Sequence, residues 1–187
     1  MILLGLDPGV QTGYARADAT TQRLVDVRTL KAHQAMTLIQ ADPPALVIFE
    51  DARKRQLFGR MDLLQEKYGA AVREGAGAAK RDSKLWEEFL ADQRIPWIGR
   101  KPHGTKMGAL LFKATTGWEG RTSNHARDAG MLVIGINVSM AQALIRQHQQ
   151  HVATQAQLAE QKRERRRSNP SIARAEAVTQ RRRGRRA

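Results

Sequence analysis

The sequence predicts a mixed α/β domain built around a central β-sheet. Two short apolar runs, residues 2–6 and 45–49, have the length and composition of buried strands, and an acidic residue follows each of them. Later segments space their apolar residues three and four positions apart, as amphipathic helices do. The predicted order is three strands, a helix, a strand, helices, a short strand and further helix, which is typical of a sheet with helices packed on it.

The first three predicted strands form a meander. Pro8-Gly9 turns the chain after the first strand, and residues 13–17 and 22–30 then pair antiparallel with it. A helix over residues 31–40 is broken by Asp42-Pro43-Pro44. The strand that follows is apolar at consecutive positions, so we expect both of its faces to be buried.

Two helices are predicted after the fourth strand. Residues 60–74 and 82–93 both have helical apolar spacing, and Gly75-Ala76-Gly77 separates them. The second helix has one apolar face, which consists of Leu85, Trp86, Phe89 and Leu90.

The end of the domain is predicted to contain a short strand and two more helices. The strand covers residues 95–99. Thr105 caps one helix and Ser123 caps the next, because both residues carry a hydroxyl that can accept a hydrogen bond from the first helical turn. Apolar residues recur at helical spacing between 131 and 152, so the last helix is expected to be long.

The net charge is concentrated at the carboxyl terminus. A chain of 187 residues is long enough for one domain, which we expect over residues 1–160, followed by a basic, mostly disordered tail over 161–187. The tail holds 11 Lys and Arg against 2 Glu, so it carries +9 of the formal net charge of +14. Nucleic acid is the expected partner, with an acidic membrane surface a weaker choice because the tail has few large apolar residues.

The cysteine content and the hydropathy of the sequence indicate the cellular compartment we expect for the protein. The chain has no cysteine, so any metal must be held by oxygen or imidazole, and a reducing cytoplasm is compatible with the sequence. The amino terminus lacks a basic leader, and no stretch approaches the roughly 20 apolar residues of a membrane span. We therefore expect a soluble cytoplasmic protein without a membrane partner.

Four residues form a candidate site for divalent metal. Asp7 and Glu50 each close a predicted buried strand, where rigid backbone holds a carboxylate at the edge of the sheet. His125 and Asp128 are three residues apart on a predicted helix, so they share a face. Mg²⁺ prefers such hard ligands, and two ions can activate water and stabilise the leaving oxygen during phosphodiester hydrolysis.

Each of these residues alone also has an ordinary structural explanation. Glu50 is followed by Asp51, which could be the ligand instead, and either acid could simply form an ion pair. His125 and Asp128 could equally form a helical pair with an arginine. The available partners are Arg53, Lys54 and Arg55 for the acids, and Arg121 and Arg127 for the helical pair.

Three motifs occur in order along the chain: Leu4-Gly5-Leu6-Asp7-Pro8-Gly9 with Thr12-Gly13-Tyr14, the strand-ending Glu50, and His125-Ala126-Arg127-Asp128-Ala129. Together they resemble the motifs of RuvC-type Holliday junction resolvases. The resemblance covers about residues 1–138 and implies a ribonuclease H-like fold, with a mixed five-stranded sheet flanked by helices. The long carboxyl-terminal helix and basic tail lie outside it and suit a bacteriophage or prophage variant.

The resemblance also implies a function. Its members are homodimers that bind four-way DNA junctions and cut two strands symmetrically with Mg²⁺ or Mn²⁺, in DNA recombination and repair. This places the protein in the cytoplasm of a bacterium or a phage-infected cell. It makes Lys106 a cation beside the scissile phosphate, whereas Lys101 matches a second family lysine or is an ordinary solvated one. The implied catalytic residues are Asp7, Glu50, His125, Asp128 and Lys106, the first four as metal ligands.

One departure from the family follows Glu50. The family has an aromatic residue there that stacks near the junction centre, whereas this chain has basic residues and no aromatic before Phe58. Phe58 is either a wedge between bases or, as we favour, a core anchor for the next helix. The residues expected to contact DNA are Arg53, Lys54, Arg55, Lys101, Lys106 and Lys113.

Two other functions fit part of the sequence. A strand-Asp-x-Gly turn also cradles phosphates in actin-like and sugar-kinase-like phosphotransferases, but those enzymes need a second domain and an adenosine site. A nonenzymatic DNA-binding or packaging protein could use the same fold as a platform. For a homodimer, the apolar helix surfaces around Leu63 and Leu85 are both available.

Overall fold

The computed structural model describes residues 1–55 and 61–168, and only the backbone of residues 61–73, 166 and 168. In this part of the chain five strands form one sheet with helices on both faces. A 3₁₀ turn covers Ala52–Lys54. The strands and helices are β1 (Ile2–Asp7), β2 (Thr12–Asp18), β3 (Arg23–Leu30), α1 (Ala32–Ala41), β4 (Leu46–Glu50), α2 (Met61–Asp92), β5 (Trp97–Arg100), α3 (Ala109–Thr116), α4 (Asn124–Val133) and α5 (Val138–Ser168).

The sheet has the strand order β3-β2-β1-β4-β5. The first three strands form the predicted antiparallel meander, and β4 and β5 run parallel to β1. Leu6 of β1 is paired with Phe49 of β4, so Asp7 and Glu50 follow side by side at the same end. This mixed sheet between helices is the ribonuclease H-like arrangement, and the predicted fold class is confirmed.

Each face of the sheet has its own apolar core. On one face, Ile39 of α1 and Trp86 and Leu90 of α2 pack on Leu6 and Phe49 of the strands. On the other face, α4 packs on β1 and β2, and α3 and the first turns of α5 complete the core. β4 is buried on both faces, as its continuous apolar sequence predicts.

The two helices predicted over residues 60–74 and 82–93 are a single helix, so the predicted break between them is wrong. A Cβ added at Gly75 or Gly77 would meet no atom of the described residues within 4 Å, so neither glycine makes a tight turn or a close contact within that part of the chain. Glycine costs a helix only about 1 kcal/mol relative to alanine, and the surrounding alanines and absence of proline let the helix continue.

The apolar face predicted for this helix is narrower than expected. Trp86 and Leu90 are buried and Phe89 is partly buried, but Leu85 is 48% exposed. Successive residues are turned by about 100° around a helix, so Leu85 falls at the side of the buried face. Phe58 and the side chain of Leu63 lie outside the described residues.

The predicted start of α3 is also wrong. Thr105 belongs to the preceding loop, and the helix begins at Ala109 with Gly108 as its N-cap. Phe112 is buried, and its N–H donates to the carbonyl of Gly108 at 3.0 Å. The N-cap is therefore a glycine without a hydroxyl, and burial of Phe112 sets which face of the helix packs on the core.

Ser123 caps α4 as predicted, because its Oγ accepts a hydrogen bond from the N–H of Ala126 at 3.1 Å. The one long helix expected to follow is instead two helices, α4 and α5. Gly135 lies between them with φ of 75°, a conformation that glycine adopts without strain. Asn137 then caps α5 by accepting the N–H of Met140 at 2.9 Å.

By its internal contacts the chain divides into two compact units, Met1–Arg146 and a second that begins at Gln147. The described part of the second unit is the rest of α5, which includes residues 161–168 of the predicted tail. Residues 169–187 lie outside the described residues, so the domain and tail boundaries remain predictions. Within 1–55 and 61–168 no single helix is long and apolar enough to cross a membrane, although the bent pair α4 and α5 passes that test by length and composition.

Candidate functional site

Two of the candidate acids lie next to each other at one end of the sheet. Asp7 ends β1 and Glu50 ends β4, and strand alternation places both side chains on the face that α4 covers. Asp7 is 7% exposed and Glu50 is partly buried. Neighbouring strands are about 4.8 Å apart, so these two carboxylates lie close enough to repel each other.

Glycines let α4 approach this end of the sheet. A Cβ on Gly5 would lie 2.0 Å from the carbonyl oxygen of Ala129, and a Cβ on Gly13 would lie 2.0 Å from that of His125. Since no side chain fits in either space, the helix backbone packs directly on the strand backbone. The close packing brings His125 and Asp128 to the end of β1.

Two side-chain contacts, one between a histidine and a carboxylate and one a lysine ion pair, join four of the predicted catalytic residues. The Nδ1 atom of His125 lies 2.6 Å from Oδ2 of Asp7. The ammonium group of Lys106 donates to Oδ2 of Asp128. Asp128 is 8% exposed, whereas the side chain of Lys106 is 52% exposed, so the lysine reaches into the site from the surface. The loop before α3 carries Lys106, not the start of a helix as predicted.

Of the three acids, Glu50 has the weakest partner for its negative charge. Its Oε1 accepts a long hydrogen bond, 3.4 Å, from the backbone N–H of His103. Burial raises the pKa of Glu50, and the negative charges of Asp7 and Asp128 raise it further. The His103 N–H and the charge of Lys106 oppose this rise without cancelling it. The ionised carboxylate therefore carries a free-energy cost that an added cation would relieve.

Asp7 and Lys106 have pKa shifts that arise from the same crowding. Burial raises the pKa of Asp7, and the hydrogen bond and charge of His125 only partly offset the rise. Burial would lower the pKa of Lys106, but its hydrogen bond to Asp128 and the charges of the three acids raise it overall. Lys106 is therefore a protonated cation among three carboxyl groups.

A cavity of about 260 Å³ opens beside the acids. Glu50 and Asp128 form part of its wall, and the remaining wall combines basic, polar and apolar side chains. A ligand in this cavity would meet negative charge, positive charge and an apolar surface together. The other lining residues are Arg100, Lys101, His103, Thr105, Met107, Met131 and Leu132.

Asp51, which the sequence offered as a metal ligand in place of Glu50, forms a structural ion pair instead. It is 3% exposed, and its carboxylate accepts two hydrogen bonds from the Arg53 guanidinium, at 2.7 Å and 2.9 Å. Arg53 also forms an ion pair with Glu87 of α2. Burial raises the pKa of Asp51, but the hydrogen bonds from Arg53 lower it overall. This network ties the end of β4 to α2.

The basic residues that follow β4 differ in their availability to DNA. Arg53 is engaged by the two acids just described, and Nζ of Lys54 donates to the carbonyl of Gly99 at 2.7 Å. Both side chains therefore stabilise the fold. Arg55 is exposed at the end of the 3₁₀ turn and remains a predicted DNA contact.

The other basic residues expected to bind DNA lie around the acids or on α3. Lys101 is exposed and lines the cavity. Lys113 forms an exposed ion pair with Glu119 at 2.5 Å, which a phosphate can replace at little cost because exposed ion pairs are weak. Together with Lys106, these lysines put positive charge beside the acids.

Arg127 has a role that the sequence does not predict. It is 7% exposed, its Nε donates to the carbonyl of Met107 at 2.7 Å, and its NH1 donates to the carbonyl of Thr122 at 2.8 Å. It therefore ties the loop that carries Lys106 to the helix that carries Asp128. The sequence suggested only an ion pair within the helix, because backbone carbonyl partners leave no residue signal.

The predicted metal ligands have suitable chemistry and lie near one another, but their present arrangement is not that of a metal site. Three carboxylates and an imidazole are donors that Mg²⁺ and Mn²⁺ accept. Among the described residues, no group of three or more His, Asp or Glu side chains is arranged to hold a metal ion. These contacts contribute to this, because Asp7 and Asp128 each give one oxygen, Oδ2, to another side chain. A metal ion bound through those two oxygens would displace His125 and Lys106 from them.

No protein-family model matches the sequence, and no curated protein matches it. Among solved structures, Thermus thermophilus RuvC in complex with a Holliday junction substrate is similar, with 16% identity over 79% of this chain and 96% of that chain and a TM-score of 0.47. A second Thermus thermophilus RuvC structure has 17% identity, the same coverage and a TM-score of 0.46. The trimeric exonuclease PhoExo I of Pyrococcus horikoshii has 12% identity over 54% of this chain and 57% of its own, with a TM-score of 0.31. The fold class of this chain stands on its own strand order and register.

Proposed function

We propose that the protein is a metal-dependent DNA endonuclease that resolves Holliday junctions or related branched DNA by paired, symmetric cuts. One observation carries the proposal: Asp7, Glu50 and Asp128, from three separate segments, approach one another around a single lysine. Burial and mutual repulsion leave their charge incompletely balanced, which favours binding of a divalent cation. The sequence motifs shared with the resolvases supply the substrate class.

In this proposal the three carboxylates hold the metal ions, and His125 acts as a further ligand or as a proton acceptor. Bound Mg²⁺ or Mn²⁺ would neutralise charge on the phosphate and help to activate a water molecule. His125 suits either role because its neutral imidazole can donate an electron pair near physiological pH. Asp7 and Glu50 end buried strands, and α4, which carries His125 and Asp128, packs directly on the sheet. The four side chains are therefore attached to rigid backbone.

Lys106 acts on the phosphate. Its ammonium group is paired with Asp128 in the protein alone, and a phosphate oxygen of DNA offers a competing anionic partner. Entry of DNA would therefore free an oxygen of Asp128 and place a positive charge where negative charge develops in the transition state.

Binding to DNA relies on the basic surface and on the tail. Lys101, Lys113 and Arg55 are exposed, and the tail carries most of the excess positive charge of the sequence. Paired cuts on a roughly two-fold symmetric junction are most simply made by an isologous homodimer, for which Leu85 on α2 provides exposed apolar surface. Such an enzyme would act in the cytoplasm of a bacterial or phage-infected cell.

The proposal is tested by mapping cuts on DNA of three shapes. Purified protein is incubated with Mg²⁺ or Mn²⁺ and with four-way junction, flap and linear duplex DNA of matched sequence. We expect symmetric cuts near the junction centre and much slower cutting of the duplex. Absence of cutting on every substrate with either metal would contradict the proposal.

Substitutions then identify the site. Asp7→Asn and Glu50→Gln should each remove cleavage while leaving junction binding largely intact, because metal placement is lost and the basic surface is unchanged. Asp26→Asn is the matched control, since Asp26 is an acid on β3 that pairs with Arg28. Cleavage by Asp7→Asn at the wild-type rate would exclude Asp7 from the site.

A nonenzymatic DNA-binding protein is the second candidate function. It is favoured by the pairing of Asp7 with His125 and of Asp128 with Lys106, and by the lack of a three-ligand group among the described residues. Tight junction binding without any metal-dependent nicking would support this function over the nuclease.

A further inference from the structure

The two most exposed large apolar side chains of the described residues lie close to the candidate site in the sequence. Val10 is 81% exposed and follows Asp7 by three residues; Leu110 is 87% exposed and follows Lys106 by four. Consecutive Cα atoms are about 3.8 Å apart, so these Cα atoms lie within about 11 Å and about 15 Å of the respective site residues. Leu111, next to Leu110, is 59% exposed.

The orientation of α3 keeps its two leucines in the solvent. Phe112 is buried, and a Cβ on Gly130 of α4 would lie within 2.8 Å of its ring, so the aromatic side chain fills a space made for it. Each helical residue is turned by about 100° from the one before. With Phe112 facing inward, Leu111 lies at the side of the helix and Leu110 lies nearly opposite. Leu110 and Leu111 are therefore exposed because the buried side chain of Phe112 fixes the rotation of α3.

The charge around the leucines indicates which partner they fit. Lys113, which pairs with Glu119 on the surface, is three residues after Leu110 and shares its helix face. In the segment before the helix, Lys101 is exposed and Lys106 pairs with Asp128. A matching partner has anionic groups beside exposed apolar surface. DNA with unstacked bases has both, whereas a regular duplex hides its base faces and a second copy of this chain brings the same excess of positive charge.

We propose that Leu110 and Leu111, with Val10 from the turn after β1, contact unstacked bases next to the cleaved phosphate. The inference rests on the proposed nuclease function and adds the feature of branched DNA that the protein reads. Apolar side chains that enter between bases stabilise interrupted stacking, which a junction offers at low cost and a duplex does not. Phe58, the residue considered for this role from the sequence, lies outside the described residues.

The test compares leucine variants of the full chain for binding to a junction and to a duplex of the same sequence. Leu110→Ser, Leu110→Met and the double variant Leu110→Ser with Leu111→Ser are measured by fluorescence anisotropy in EDTA, where no cutting occurs. Val25→Ser is the matched control. Val25 is also an exposed apolar residue, 51% exposed, and it lies toward the end of β3 that is away from Asp7. Melting curves establish that each variant is folded.

We expect the double variant to bind the junction about tenfold more weakly and the duplex as tightly as the wild type. Leu110→Met should retain junction binding, because methionine keeps the apolar contact. With 2-aminopurine at the junction centre, wild-type protein should increase the fluorescence and the double variant should not. Equal junction affinity and equal fluorescence for wild type and double variant would overturn the inference.

Two further outcomes separate this inference from its alternatives. If the leucine substitutions convert a dimer into a monomer in light scattering, the leucines belong to a protein interface and the inference is wrong. If the wild type cuts no DNA with either metal but the leucines still control junction binding and fluorescence, the nuclease function fails and the base contact stands. If the wild type cuts junctions and the leucines affect neither measurement, the nuclease stands and the base contact fails.

Discussion

Glu50 and Asp51, adjacent residues at the end of β4, belong to two different acidic clusters, and their pKa values are shifted in opposite directions. Asp51 is paired with Arg53, which also holds Glu87, and the pKa of Asp51 is lowered by these hydrogen bonds against the effect of burial. Glu50 faces Asp7 and Asp128 instead, and burial together with their charges raises its pKa. One cluster ties β4 to α2, and the other lies where β1, β4 and α4 meet.

The difference shows how burial alone fails to identify a functional acid. Asp51 is more completely buried than Glu50, but a bidentate arginine balances its charge, so its ionisation stabilises the folded protein. The three acids of the other cluster share one lysine and one histidine. Charge that the protein leaves unbalanced at a cost in stability is more typical of a site that binds a cation or substrate.

The largest expected effect is on cleavage. Asp128→Asn should lower single-turnover junction cleavage about a thousandfold, roughly 4 kcal/mol of activation free energy, because it removes a metal-binding carboxylate. Asp51→Asn should leave the cleavage rate of the folded protein near that of the wild type. Wild-type cleavage by Asp128→Asn, or a comparable loss with Asp51→Asn, would contradict the assignment of function to one cluster only.

The next effect is on stability. Asp51→Asn should lower the free energy of unfolding by about 2 kcal/mol at pH 7, because it weakens charge-assisted hydrogen bonds to Arg53. The pKa of Asp51 is lowered in the folded protein, so its stabilisation is present above the unfolded value of about 3.9 and is lost as the pH falls through the folded value. Urea unfolding should therefore show a difference from wild type that shrinks at acid pH, whereas Asp26→Asn should change little.

A smaller effect is expected on metal affinity. Lys106→Met removes the cation that occupies an oxygen of Asp128, so Mn²⁺ should bind the DNA-free protein about tenfold more tightly, while cleavage falls because the phosphate loses its lysine. Calorimetric titration measures the affinity directly. Lys113→Met is the control, since Lys113 pairs with Glu119 on the surface. Unchanged Mn²⁺ affinity would show that Lys106 and the metal do not compete.

The parts of this architecture that depend on neighbouring residues could be predicted from the sequence. Strand ends at Asp7 and Glu50, the cap at Ser123 and the shared helix face of His125 and Asp128 all follow from local periodicity and turn chemistry. These local signals were enough to predict the meander and a central sheet with helices packed on it, whereas the mixed five-stranded sheet was implied by the resemblance to the resolvases.

The remaining parts depend on contacts between distant segments. Gly5 is needed because α4 crosses β1 at that point, and the Arg127 hydrogen bond to the Met107 carbonyl joins separate elements. The orientation of α3 follows from burial of Phe112 against the core. The same limit applies to the choice between Glu50 and Asp51, because only the packing of α2 reveals that Arg53 is held by Asp51 and Glu87.

The smallest expected effect has the opposite sign to that of Asp51→Asn. Glu50→Gln should raise the melting temperature in EDTA at pH 7 by on the order of 2 °C, because a neutral amide avoids the cost of a partly buried carboxylate beside Asp7 and Asp128. The pKa of Glu50 is raised in the folded protein, so this cost develops as the pH rises through the interval between its unfolded and folded values and is absent below about 4.3. The melting temperatures of variant and wild type should therefore converge at low pH.

Glu88→Gln on the exposed side of α2 serves as the control, since the side chain of Glu88 is 64% exposed. A lower melting temperature for Glu50→Gln at pH 7 would mean that Glu50 is a structural acid like its neighbour, and the contrast between the two clusters would be wrong.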